Sequence, residues 1–242
     1  MELEKMERCI DWLREQVKNA HAQGLIVGLS GGIDSALVGY LIAQACPNDA
    51  LGVILPCHSS GQDREDAILG ARAVKLPWLE LDLSEPHSLL WEGANELLGL
   101  DPAENKGANG NLRARLRMSA LYTLASLKNY LVVGTDNKAE YYIGYFTKYG
   151  DGGVDLLPIG SLTKAEVYLW AREAGIPQKI LAKAPSAGLW PGQTDEAELG
   201  LSYSSIDQYL EGKDVSEQER ERIEQLHGIT EHKRHTPPCF IP

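Results

Sequence analysis

Along residues 3–20, Leu3, Met6, Ile10, Leu13 and Val17 recur at helical spacing with charges between them, which predicts an amphipathic first helix. Residues 25–29 form a short unbroken apolar run, followed by Ser30-Gly31-Gly32 and a helical stretch through Ala45. This reads as a buried strand, a glycine turn and a helix. The alternation then repeats. Residues 51–55 predict a second strand, 63–75 a helix, 78–83 a third strand and 86–98 another helix. Residues 111–129 predict a long helix, 130–134 a fourth strand and 203–227 two short helices. Apolar strands separated by helices imply an α/β fold, and we expect a doubly wound, five-stranded parallel sheet with helices on both faces. Ligands of such sheets sit at the carboxyl ends of the strands. The stretches 99–111 and 183–200 read as long loops, either surface linkers or lids over a site.

Composition narrows the class. The chain has 242 residues, 43% of them hydrophobic and 24% charged, with a formal net charge of −11. That length suits one α/β domain with a core large enough to need no covalent staples. The acidic balance disfavours a nucleic-acid surface, which would accumulate Lys and Arg. No apolar run approaches the roughly 18 residues of a membrane span, and the N-terminus does not resemble a signal peptide. Cys9, Cys46, Cys57 and Cys239 are scattered, without zinc spacing, and are expected to be reduced thiols of a cytoplasmic protein. Cys57-His58 are adjacent, and neighbouring strand residues point apart, so we expect no nucleophile–base pair there.

Ser30-Gly31-Gly32-Ile33-Asp34-Ser35 joins the first strand to the next helix. Backbone N–H groups and the helix dipole favour an anion at such a junction, and glycines let the backbone close on phosphate oxygens. Ser30 and Ser35 can donate hydroxyls. Asp34 would repel phosphate unless a cation bridged them, which points to Mg²⁺. A turn followed by an Asp or Ser cap would explain any one of these residues, but not all six in this position.

The loop is neither a Walker A motif nor G-x-G-x-x-G. It resembles the S-G-G-x-D-S loop of the ATP pyrophosphatases, which activate a carboxylate or carbonyl by adenylation and release pyrophosphate. That resemblance implies an adenine nucleotide alpha hydrolase-like, Rossmann-like fold, with Gly28, Leu29, Ser30, Gly31, Gly32, Ile33, Asp34 and Ser35 around ATP. Further stretches are similar to the NAD synthetase family: Gly134-Thr135-Asp136-Asn137-Lys138-Ala139-Glu140, Phe146 through Asp155, Gly160 through Lys164, and Asn109 through Met118. So are His232-Lys233-Arg234 and two segments of the family's lid, 183–189 and 193–200.

The resemblance implies one NAD synthetase domain over residues 1–242, using Mg²⁺ and taking ATP as co-substrate. By it, Thr135, Lys164 and Ser186 contact ATP, while Asp34 and Glu140 hold the metal. Arg115, Lys148, Asp155, His232 and Lys233 contact deamido-NAD. The catalytic candidates are Lys164, which would neutralise the departing pyrophosphate, and Asp155, which would orient or deprotonate the incoming ammonium. The implied reaction is amidation of deamido-NAD to NAD through an adenylate. The chain departs from the family at Ile54-Leu55-Pro56, where many members carry Arg before Leu-Pro. Glutamine-dependent members carry an added amidase domain for which this length leaves no room, so ammonia is the expected nitrogen donor. A separate glutaminase partner stays open. A homodimer is expected by resemblance alone. The rival readings are another ATP pyrophosphatase with a different acceptor, disfavoured for tRNA by charge and for GMP by residues 148–155, and a non-catalytic adenine-nucleotide-binding module.

Overall fold

A computed structural model describes residues 2–186 and 194–240. The segments around β1 follow the expected alternation: α1 (Glu2–Asn19), β1 (Gly24–Gly28), α2 (Ile33–Ala45), β2 (Ala50–Ile54), α3 (Gly61–Ala73), β3 (Trp78–Glu80) and α4 (Ser84–Leu98). Then come α5 (Lys106–Lys128), β4 (Tyr130–Val133), α6 (Lys138–Ile143), α7 (Lys164–Glu173) and α8 (Gln178–Leu181). The chain closes with α9 (Asp195–Leu199), α10 (Tyr203–Leu210) and α11 (Glu217–Ile229), followed by a 3₁₀ turn.

The sheet is wholly parallel, in the order β3-β2-β1-β4. Leu25, Ile26 and Val27 of β1 are completely buried, because the strand is covered on both faces. Leu25 and Val27 join Leu13, Leu37, Leu41 and Val167 in one core layer, while Ile26 joins Val53, Val132, Ala120 and Ala125 in the other. A smaller core of Ile143, Tyr203, Ile206 and Ile223 packs α10 and α11 against α6.

The chain steps outward from β1 to β2 and β3, then returns to place β4 on the other side of β1. The strand order therefore reverses between β1 and β4, and a crevice opens beyond their carboxyl ends. Both motif loops, 30–35 and 134–140, start there.

The sheet has four strands, where five were expected. The segment after Gly153 does approach β4, with Asp155 and Leu156 N–H donating to Val132 O and Gly134 N–H donating to Leu156 O. It stays a single bridge, Val133 to Leu156. Pro158 lacks an N–H to extend the ladder, and Gly152-Gly153 precede it with a turn. The loop expected over 99–111 is also shorter, since α5 begins at Lys106. Gly107 and Gly110 hid this start, because each disfavours a helix interior by roughly 1 kcal/mol and packing outweighs the preference. Part of the second expected loop is helical, as α9; residues 187–193, which include the family-like 187–189 and 193, lie outside the described residues.

Candidate active site

The glycine loop leaves β1 and feeds α2. Gly31 has φ +80, and a Cβ there would lie 2.6 Å from Asp63 O, so only glycine allows this approach. Inside the loop, Ser30 N–H donates to Ser35 Oγ at 3.2 Å, and Ser35 Oγ donates to Gly32 O at 3.0 Å. Gly32 caps α2 without a side-chain bond, which leaves first-turn N–H groups available to an anion.

Asp34, in the first turn of α2, faces the start of α7. Lys164 Nζ donates to Asp34 Oδ2 at 2.6 Å and to Glu140 Oε1 at 3.3 Å. The lysine side chain is only 4% exposed. Its backbone is fixed by Thr163, whose capping box closes with Glu166, and by Asp207, which accepts from Lys164 N–H and Ala165 N–H. Capping and binding thus share one residue neighbourhood. Burial opposes the charge of Lys164, but the carboxylates of Asp34 and Glu140 outweigh it and hold the amine protonated.

Glu140 is placed by the capping box of α6: Asn137 Oδ1 accepts from Glu140 N–H, and Glu140 Oε2 accepts from Asn137 N–H. Asn137, fully buried, also donates from Nδ2 to Asp34 Oδ1 at 3.1 Å. One cap residue therefore ties both acids together. Burial raises the Glu140 carboxyl, partly countered by Lys164. The Tyr203 hydroxyl lies 2.9 Å from Glu140 Oε1 and 3.0 Å from Asp195 Oδ2, and burial together with those carboxylates keeps it protonated.

Asp34, Glu140, Lys164 and Asp195 line a cavity of about 480 Å³. Of the residues expected around ATP and metal, Gly28, Leu29, Ser30, Gly32, Ile33, Asp34, Ser35, Thr135, Glu140, Lys164 and Ser186 all line it, while Gly31 supports the loop from behind. Arg117 is on the wall as well, donating to Leu55 O and Ser59 Oγ at 3.1 Å each.

A second, more open groove of about 590 Å³ lies alongside, lined by Lys148, Asp155, Tyr149, Phe146 and Lys233. Lys233 lines both spaces and is anchored by donating to Gly144 O and Phe146 O. Lys148 Nζ donates to His232 O at 2.6 Å, and the Arg115 guanidinium lies 3.4 Å from Lys148 O. Arg115 and His232 thus border the groove through Lys148 without lining it. Asp155 accepts from Tyr122 OH and Val132 N–H, and it lines this second groove and not the cavity that holds Lys164.

Cys57 and His58 form no pair: the buried thiol points to Leu83 O, and the imidazole lies 3.1 Å from Ser88 Oγ. Sequence reasoning did not single out Asn137, Tyr203, Asp136 or Asp207 as functional. Asn137 was detectable, since Asn followed three residues later by Glu is a capping box. Asp136 stood inside a quoted motif, but its burial, which drives its carboxyl well above the usual range with help from Asp151, Glu140 and Asp34, depends on tertiary packing.

The model of the NAD synthase family matches residues 5–237. The chain is 54% identical to the NH(3)-dependent NAD(+) synthetase of Alkaliphilus oremlandii over 237 residues, 96% of this chain and 95% of that relative. Among solved structures, it is similar to the NMN synthetase from Francisella tularensis, with TM-score 0.93 and 37% identity, covering 99% of this chain and 98% of that one. It is also similar to the NH3-dependent NAD synthetase from Campylobacter jejuni, with TM-score 0.79 and 28% identity, covering 100% and 99%.

Proposed function

The chain belongs to the NAD synthase family, and on that premise we infer that it catalyses ATP-dependent amidation of deamido-NAD to NAD by ammonia. The observation that carries this reading is the buried Asp34–Lys164–Glu140 cluster facing an anion-binding glycine loop, with a lysine-lined groove beside it. A carboxylate is a poor acyl donor until its oxygen becomes part of a good leaving group. In our reading a nicotinate carboxylate oxygen attacks the α-phosphorus of ATP, the bond to the β-phosphate breaks, and pyrophosphate leaves with the electron pair. Ammonia then attacks the carbonyl carbon of the adenylate, AMP departs with the C–O electron pair, and the nitrogen sheds one proton to solvent.

The protein's share is positioning and charge neutralisation. The N–H groups at the start of α2 and the ammonium of Lys164 hold the departing pyrophosphate. Lys148, Lys233 and Asp155, with Arg115 and His232 at the border, hold the pyridine nucleotide. Two carboxylates that converge on one lysine ammonium also suit Mg²⁺, which typically takes one or two carboxylates and completes its shell with phosphates and water. Asp34 and Glu140 would hold it, and its charge would offset that of the triphosphate.

We read residues 1–242 as one catalytic unit acting as a homodimer. Leu89, Leu90, Leu97 and Leu98 on α4, with Leu127 on α5, are 52–88% exposed, an apolar surface that supports pairing with a second copy. Among the described residues no helix is long and apolar enough to cross a membrane, and the four cysteines are free, which supports a cytoplasmic setting.

A second reading of the acceptor rests on the Francisella tularensis structure, which matches with a higher TM-score than the Campylobacter jejuni enzyme: here nicotinate mononucleotide takes the place of the dinucleotide. The test is purified protein with Mg-ATP and each acceptor in competition, with ammonium or glutamine as donor. NAD formed from deamido-NAD and ammonium, with stoichiometric pyrophosphate, supports the main reading. Preference for the mononucleotide supports the second, use of glutamine contradicts direct ammonia use, and no pyrophosphate with either acceptor sinks both.

A further inference from the structure

Lys183 follows α8, where the chain turns onto the wall of the main cavity. Its Nζ donates to Asp63 Oδ1 at 2.8 Å and to Asp66 Oδ2 at 3.1 Å, both on α3. Burial opposes the charge on Lys183, but the hydrogen bonds it donates to Asp63 and Asp66 outweigh it and hold the amine protonated. Asp66 is only 2% exposed, so its charge needs partners. It has two more on Oδ1, with Lys179 Nζ at 2.8 Å and Gln62 Nε2 at 2.9 Å. Lys179 is exposed and does not line the cavity, whereas Lys183 does. One cation would neutralise Asp66; the second sits on the cavity side and reaches Asp63 as well.

The same turn of α3 backs the glycine loop. A Cβ on Gly31 would lie 2.6 Å from Asp63 O and 3.0 Å from Asp66 Cβ, so the loop rests directly against the residues that hold Lys183. Beyond Lys183, Ala184, Pro185 and Ser186 line the cavity, and Pro185 O accepts from Asp195 N–H of α9. On the other side of Lys183, the fully buried Ile180 packs α8 against α3 at Gly70. We propose that Lys183 is a positioning residue of the ATP site: by bridging Asp63 and Asp66 it ties the segment that carries Ser186 to the turn behind the glycine loop, and so fixes the two sides of the nucleotide site relative to each other. This rests on the amidation reading above. Lys183 acts through Ser186 and the loop, whereas Lys164 faces Asp34 and Glu140.

The test is steady-state kinetics of Lys183→Met with Mg-ATP, deamido-NAD and ammonium, alongside exchange of labelled pyrophosphate into ATP. The KM for ATP should rise roughly 10- to 100-fold in both assays, with the KM for deamido-NAD unchanged. Lys183→Arg, whose guanidinium can still span two carboxylates, should recover most of the loss. Lys179→Met takes a cation from the same buried acid on its outer side, so it should lower the melting temperature while leaving the KM for ATP at the parent value. Asp66→Asn should raise the KM for ATP, and adding it to Lys183→Met should make that KM no worse, because both changes cut one connection. An unchanged KM for ATP in Lys183→Met, an equal rise for deamido-NAD, or the same rise in Lys179→Met overturns the proposal, since Lys183 would then serve only the fold. A lower KM for ATP in Asp66→Asn also overturns it, since Asp66 would then be withholding Lys183 from the phosphates. Absence of exchange in the parent protein sinks the amidation reading and this inference with it, whereas exchange in the parent with an unmoved KM in Lys183→Met sinks this inference alone.

Discussion

Replacing Lys164 by Met keeps the side-chain length and removes the positive charge that lies 2.6 Å from Asp34 Oδ2 and 3.3 Å from Glu140 Oε1. The side chains of Lys164, Asp34 and Glu140 are 4%, 18% and 12% exposed, so water cannot take the ammonium's place without rearrangement. Breaking a buried ion pair from one side costs about 3–5 kcal/mol, because the remaining charge stays buried. For a chain of this size that lowers the melting temperature by roughly 6–20 °C. The loss has a defined pH dependence. Glu140 already has a raised carboxyl pKa through burial, and removing Lys164 raises it further. A carboxyl whose folded pKa lies above its unfolded value destabilises most above the folded value. The penalty fades as pH falls toward the ordinary 4.5. Thermal melts of K164M and the parent at about pH 7.5 and about pH 5.5 should therefore show a smaller gap at the lower pH. Added Mg²⁺ should narrow the gap at the higher pH, and adenylation should slow by about 10²–10³-fold. A variant within about 1 kcal/mol of the parent at both pH values would refute the reasoning.

Gly31→Ala places a Cβ 2.6 Å from Asp63 O at φ +80, and it should cost about 1–3 kcal/mol in a denaturation curve while raising the KM for ATP. Lys148→Ala should raise the KM for the pyridine nucleotide by about tenfold with the KM for ATP unmoved, read from initial rates. Leu97 is 88% exposed on α4, and L97E should shift the protein toward monomer in sedimentation without lowering the stability of the protomer by more than about 0.5 kcal/mol.

The sequence was informative wherever one segment carried the signal. The apolar run 25–29 and the glycine turn each marked their own element, and the residues expected around ATP, Gly31 apart, line one cavity. What stayed hidden was set by partners distant in the chain. The sheet lacks its fifth strand because Pro158 limits one segment to a single bridge, while the helical start at Lys106 runs against the preferences of Gly107 and Gly110. Asp155 and Asp136 look alike as letters in adjacent motifs. Only packing separates them, putting the first against Tyr122 and Val132 and leaving the second with an unpaired oxygen in the cavity.

The central claim is that the pyridine nucleotide's carboxylate is activated by attack on the α-phosphorus of ATP. Deamido-NAD carrying heavy oxygen in its nicotinate carboxylate, turned over with ATP and ammonium and analysed by mass spectrometry, tests it directly. The account predicts AMP with one labelled phosphate oxygen and unlabelled pyrophosphate. Label in orthophosphate with ADP as co-product, or AMP free of label, would contradict it.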